Sequence, residues 1–257
     1  MQNPMEQFTI RPILMGSRPM MHTHVGHHEF YFTNQAMWMC IVVGVASLFL
    51  TLAVARPQLV PGRMQSVAEL AYEFVANMIR QAAGEDGMIF FPFVFTVFVF
   101  VLFSNFFGLI PGSFTVTSQI AVTFALACLV ILTVIVTGFV VHGLGFLKLF
   151  VPHAPWYLLI LLVPIELISF ATRPISLSVR LFANMLAGHT MLKVFASFVI
   201  ALGGATAVYL KLMSIAPMLL IVAITALELL VAFLQAYVFA ILTCIYLNEA
   251  LHLHEQH

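Results

Sequence analysis

From Met88 to Leu109, and again from Ile120 to Val141, the sequence runs for 22 residues without one charged side chain. A run of about 20 apolar residues is the length at which a helix crosses a 30 Å hydrocarbon core. In lipid each backbone N–H and C=O must find its partner inside the segment, and a helix achieves this alone. The rest of the chain carries the same constraint. Hydrophobic residues make up 62% and charged residues 8%, against roughly a quarter charged in soluble proteins. A soluble helical core cannot cover its surface with so few charges. The chain reads as an all-α polytopic membrane protein.

Composition also excludes several functions. Ten basic and ten acidic side chains cancel, so there is no basic surface for nucleic acid. Cys40, Cys128 and Cys244 sit inside apolar runs, where they act as small hydrophobes rather than disulfide partners or metal ligands. No phosphate-binding loop or nucleotide motif is present, and neither cofactor nor metal is expected. Residues 1–31 form a polar tail with Arg11, Arg18 and the cluster His22, His24, His27 and His28. Their spacing fits no standard metal site, so the expectation is an irregular, solvated or interfacial segment. No cleavable leader is evident, and the first apolar run should be retained as a helix.

In order, residues 36–55 form a first span, ended by Arg56-Pro57. Residues 63–84 differ: Val67, Leu70, Ala71, Phe74 and Met78 recur at helical spacing, with Glu69, Glu73, Asn77 and Arg80 opposite. That pattern predicts an amphipathic helix lying in the membrane surface, closed by Gly84. Residues 88–110 and 119–141 then form a transmembrane hairpin. Gly108, Pro111 and Gly112 supply its turn, and Ser113, Thr115, Thr117 and Ser118 can satisfy exposed backbone. Asn105 lies just inside the turn, as a helix-to-helix hydrogen bond or part of a wet wall.

Residues 142–155 form a loop with His142, Lys148 and His153. Residues 156–200 and 208–248 read as two long helices separated by Gly203-Gly204. About 45 residues at 1.5 Å each is near 67 Å, twice a bilayer, so strong tilt is expected. Pro164 and Pro174 are the natural bend points. Five spans that begin outside put Arg56, Arg63, Arg80 and Lys148 inside, with Glu249 and Glu255. Arg11, Arg18 and Lys211 then lie outside, a weak positive-inside bias.

The chemistry is concentrated in the two long helices. Charged side chains at membrane depth cost roughly 2.5–3.5 kcal/mol each on insertion scales, so their presence points to function. At about 100° per residue, Arg173, Arg180 and Asn184 fall within roughly 20–40° of one another. Glu166 lies on the same stripe and suits a structural ion pair with Arg173. His189 points about 140° away from Glu166 and faces something else. On the last helix Glu228 and Gln235 are seven apart and share a face, with Ser214 and Tyr246 near it. A lone carboxyl among apolar side chains is disfavoured in its charged form, and an imidazole close by suits a proton relay.

R-P-I-S-L-S-V-R-L-F-A-N-M-L-A-G-H, from Arg173 to His189, and L-E-L-L-V-A-F-L-Q-A-Y-V-F, from Leu227 to Phe239, resemble the two signature blocks of subunit a of F-type ATP synthases. N-P-M-E-Q-F-T-I near the start and S-N-F-F-G-L-I-P-G-S-F-T-V-T-S in the middle extend the resemblance over nearly the whole chain. The resemblance implies a proton-conducting stator subunit, not an enzyme by itself, that serves the ring of c subunits through two half-channels. It makes Arg180 the family's essential arginine and Asn184 its companion. Gln235 becomes a hydrogen-bond partner of Arg180 from the facing helix. Many members carry Glu where this chain has His189 and His where it has Glu228. The reversed arrangement here resembles mitochondrial-type members and suggests that the two side chains face each other.

Implied partners are the c-ring, peripheral-stalk b subunits, other ATP synthase subunits and lipid. The implied location is a bacterial inner membrane, or alternatively a mitochondrial one. A sodium-coupled member of the family is a second reading. A heme- or metal-bearing respiratory subunit is a third, although His189 is the only histidine deep in a span. A secondary transporter should show inverted repeats, which the sequence lacks.

Overall fold

A computed structural model of the chain describes residues 9–10, 14–15, 18–19, 22–25, 28–31, 33–55, 58, 60–110, 113–143, 145–146, 156–204 and 208–251. Outside them lie Arg11 and His27 of the tail, Arg56-Pro57, the turn residues Pro111-Gly112, Lys148 and His153 of the loop, and Glu255.

Five helices are long and apolar enough to cross a membrane: Asn34–Val54, Asp86–Gly108, Ile120–His142, Leu158–Gly203 and Lys211–Leu251. The all-α membrane architecture read from the runs is therefore what the chain adopts. Short strands occur only in the tail among the described residues, where β1 (Leu14–Met15) pairs with β2 (Arg18–Pro19) and β3 (His22–Val25) with β4 (His28–Tyr31), both antiparallel. This corrects the irregular tail. Two residues separate β3 from β4, the spacing of a tight hairpin, and valine, phenylalanine and tyrosine in these strands favour pairing.

Helix α1 (Asn34–Val54) starts where the Thr33 hydroxyl accepts from the Ala36 N–H at 3.3 Å, an N-terminal cap. Helix α2 (Arg63–Ala83) ends at Gly84, whose φ of 68° favours a residue without a side chain. The expected amphipathic pattern resolves into three faces. Ala68, Val75, Ala76, Met78, Ile79 and Ala83 are buried, while Glu69, Glu73, Asn77 and Arg80 form a charged edge. Val67, Leu70 and Phe74 remain exposed. Of the predicted apolar stripe Met78 is buried, Ala71 is half-buried and the Phe74 ring packs 5.7 Å from those of Phe98 and Tyr237.

Helix α3 (Phe91–Gly108) follows a short 3-10 turn (Asp86–Phe90), and α4 is Ile120–His142. Helix α5 (Trp156–Gly203) is unbroken for 48 residues through Pro164 and Pro174. The last helix is not continuous from Val208, however. It divides into α6 (Val208–Met213) and α7 (Ile215–Leu251). Pro217 explains the break: its nitrogen cannot bond the Met213 carbonyl, and its ring crowds that group. Ser214 N–H turns instead to Lys211 O at 3.2 Å.

The described residues belong to two compact units. One draws on Met1–Leu48, Phe100–Gln119 and Phe182–Gln235, the other on Phe49–Val99, Ile120–Leu181 and Ala236–His257. In the first, Val42, Val101, Phe114, Val116, Met185 and Ala232 are buried; in the second, Val75, Ile79, Phe98, Val130, Phe239 and Leu247 are. On α7 the buried stripe Ala232, Ala236 and Ala240 repeats every four residues. Small side chains at that interval let a neighbouring backbone come close, which is how helices associate without a hydrophobic driving force.

Candidate functional site

In the first unit, Asn184, Met185 and His189 of α5, Glu228 and Val231 of α7, and Leu109 line one crevice. It is small, with room for about one water. Three predicted site residues thus meet: Asn184, His189 and Glu228. Glu228 is the one charged side chain that is buried among the described residues, at 8% exposure. Both of its carboxyl oxygens lack a hydrogen-bond partner there. A buried carboxylate kept for structure is paired, because an uncompensated charge is costly. Glu228 is not paired, and it lines a largely apolar crevice shared with the His189 imidazole and the Asn184 amide.

The carboxyl fits because of a residue the sequence reading passed over. A Cβ on Gly188 would lie 2.2 Å from Glu228 Oε1 and 3.0 Å from its Cδ. Glu228 therefore packs onto bare backbone of α5, and only glycine leaves that notch. The signal was available: an isolated glycine inside a helical pattern costs about 1 kcal/mol against alanine and calls for a packing reason.

A second polar chain surrounds the connection after α3. Asn105 is buried, and its Nδ2 donates to Ala232 O at 3.1 Å. Thr117 Oγ1 donates to Asn105 Oδ1 at 2.9 Å. The helix-to-helix reading of Asn105 is thus realised. Ser113 Oγ donates to Ile110 O at 2.8 Å and Ser118 Oγ to Thr115 O at 2.6 Å, satisfying the backbone as expected. Thr115 Oγ1 lies 3.3 Å from His189 Nε2, a contact the sequence did not reveal. Gln235 on α7 is half-buried.

The second unit holds the arginines. Arg173 Nη1 pairs with Glu249 Oε2, and its guanidinium lies 5.0 Å from the Tyr246 ring centroid and 5.5 Å from that of Phe170. The ion pair expected with Glu166 is not the one formed. Seven residues along a helix is about 10.5 Å, whereas side chains three or four apart are neighbours. Glu166 is half-buried. Arg180 is exposed, while Leu177, Ser178 and Leu181 beside it are buried. Among the described residues no hydrogen bond or ion pair reaches the Arg180 guanidinium.

Among the described residues, no three His, Cys, Asp or Glu side chains gather where they could hold a metal ion. The first unit thus holds a carboxyl and an imidazole on one crevice, and the second holds Arg180, which is exposed.

Comparison with known proteins gives this chemistry its setting. The family described as "ATP synthase A chain" matches residues 36–248. Over 230 residues the chain is 62% identical to ATP synthase subunit a of Mesorhizobium japonicum, covering 89% of this chain and 91% of that protein. It is 56% identical over 251 residues to ATP synthase subunit a of Agrobacterium fabrum, covering 97% and 98%. With ATP synthase subunit a of Chelativorans sp. it shares 58% over 251 residues, again 97% and 98%. Five span-length helices, the Arg180 and Glu228 helices and a match over most of its length lead to one conclusion: the chain belongs to the ATP synthase A chain family, the membrane Fo subunits that take part in ATP synthesis and proton transport.

Proposed function

We propose that the chain is the proton-conducting stator of a bacterial inner-membrane ATP synthase, held by peripheral-stalk b subunits against a ring of c subunits. The observation that carries this reading is the exposure of Arg180. On α5 it is exposed together with Ser176 and Ala183, one turn to either side, while Leu177 and Leu181 next to it are packed. None of the most apolar window of α5 is buried and 11% of that of the last span is, against 39% and 33% for the spans that contain α3 and α4. An exposed guanidinium on a membrane-spanning helix is too costly to leave to lipid, so it needs an acidic partner from outside the chain.

A rotor carboxylate supplies that partner. It must be neutral to cross lipid, since an isolated buried charge is very unfavourable. Beside the Arg180 cation the arriving neutral carboxyl is favoured in its charged form, so it gives its proton to the exit path and is left as a carboxylate paired with the guanidinium. Its positive charge also repels protons that would pass straight between the two half-channels. His189 and Glu228 act on the way in, handing protons across their shared crevice to the rotor. Each proton that descends 100 mV releases about 2.3 kcal/mol, which rotation collects.

The test is Arg180→Ala in the assembled complex, reconstituted in vesicles. ATP-driven proton pumping should vanish and a passive proton leak should rise. Coupled ATP synthesis at the unmodified rate would overturn the role of Arg180.

A further inference from the structure

We propose that Thr115 is a positioning residue for His189: it holds the imidazole as the Nε2–H form, so that protons are exchanged at Nδ1. The inference rests on His189 acting in the proton path. Thr115 Oγ1 lies 3.3 Å from His189 Nε2 and 3.4 Å from Gly108 O. Thr115 is buried, at 4% exposure. Its own carbonyl is held by Ser118 Oγ at 2.6 Å and Ser118 N–H at 3.2 Å. A Cβ on Gly108 would lie 2.7 Å from Thr115 Cγ2, so glycine there lets the two segments close up. The hydroxyl is therefore seated from both sides.

A hydroxyl has one proton, and a carbonyl can only accept. With Thr115 O–H donating to Gly108 O, which also accepts from Ser113 Oγ at 3.4 Å, Thr115 Oγ1 is left to accept from Nε2–H. Which ring nitrogen carries the proton is set by the bond the other one makes. Neutral His189 is then protonated at Nε2, and the Nδ1 lone pair takes up the incoming proton. The imidazolium keeps the same Nε2–H bond and returns the proton from Nδ1, so nothing at Thr115 has to rearrange in the cycle. Among the described residues, Glu228 lines the same crevice and Lys193 lies one turn on along α5.

Four residues at this position separate hydroxyl from shape. Thr and Ser carry the hydroxyl, Val and Ala do not; Thr and Val share the branched outline. Proton-driven ATP synthesis per assembled complex would be measured in vesicles as a function of pH on the side that supplies protons. Thr115→Val and Thr115→Ala should both lose about three- to tenfold, the worth of one hydrogen bond, and share a displaced pH profile. Thr115→Ser should keep the parent profile. Rates that sort by branching, or four superimposable profiles, would overturn the proposal. His189→Ala is the companion arm. If it too runs at the parent rate, the histidine's place in the path fails. If it stops synthesis while Thr115→Val does not, only the role of Thr115 fails.

Discussion

The Glu228 carboxyl rests on the backbone of Gly188, so near that a single added methyl would lie 2.2 Å from Oε1. One helix supplies an acid and the other a notch with no side chain in it. Gly188→Ala should push the carboxyl out of the crevice it shares with His189 and reduce proton-driven synthesis at least tenfold. Helix propensity alone acts in the other direction, since alanine is favoured over glycine by about 1 kcal/mol. The loss should therefore appear as turnover per complex, with assembly intact. A parent turnover number would show that the notch has no part in transfer.

Because His189 and Glu228 line one crevice, their identities should be exchangeable as a pair. His189→Glu leaves two carboxyl groups there, and Glu228→His leaves two imidazoles. Either single change removes the acid-imidazole pairing. The double variant restores it and should pump faster than either single one, measured as ATP-driven acidification of vesicles. A double variant no better than the worse single one would remove the pairwise argument.

Asn105 joins three elements through two hydrogen bonds, to Ala232 O and from Thr117. Asn105→Leu keeps the branched outline and removes both. Interhelical hydrogen bonds in membranes average about 0.6 kcal/mol with a maximum near 1.7, so a loss of about 1 kcal/mol is expected. The measurement is the thermal midpoint of the detergent-solubilised complex, which should fall. An unchanged midpoint would mean that the network has no net effect on stability.

Much of this was legible in the residues. Apolar run length marked the five spans, because lipid allows few alternatives, and Gly84 marked the end of α2. Charges in oil pointed to Arg180, His189 and Glu228 for the same reason. Periodicity could not say which partner a side chain meets. It put Arg173 and Glu166 on one stripe, yet the partner of Arg173 came from α7, 76 residues away in sequence. The break before α7 was missed because Pro217 was not weighed within a long apolar pattern. Gly188 and Thr115 were overlooked for a related reason: what they do depends on a chain segment that only folding brings to them.

The Arg173–Glu249 pair is the remaining test of how the second unit is held together. Its side chains are 17% and 25% exposed, and the guanidinium also lies against Phe170 and Tyr246. Exposed pairs are worth about 0–1 kcal/mol, but removing one partner of a largely buried pair costs several times that. Glu249→Ala should therefore lower the amount of assembled subunit in membranes, with Arg173→Ala doing more because it also strips the two rings of their cation. Arg173→Lys keeps the charge but loses the planar group that stacks, and should fall between them and the parent. The charge exchange Arg173→Glu with Glu249→Arg should recover assembly beyond either reversal alone. Quantifying the subunit by immunoblot after detergent extraction checks all four. If the exchanged pair fares no better than the single reversals, the link between α5 and α7 is carried by the aromatic rings and not by the charges.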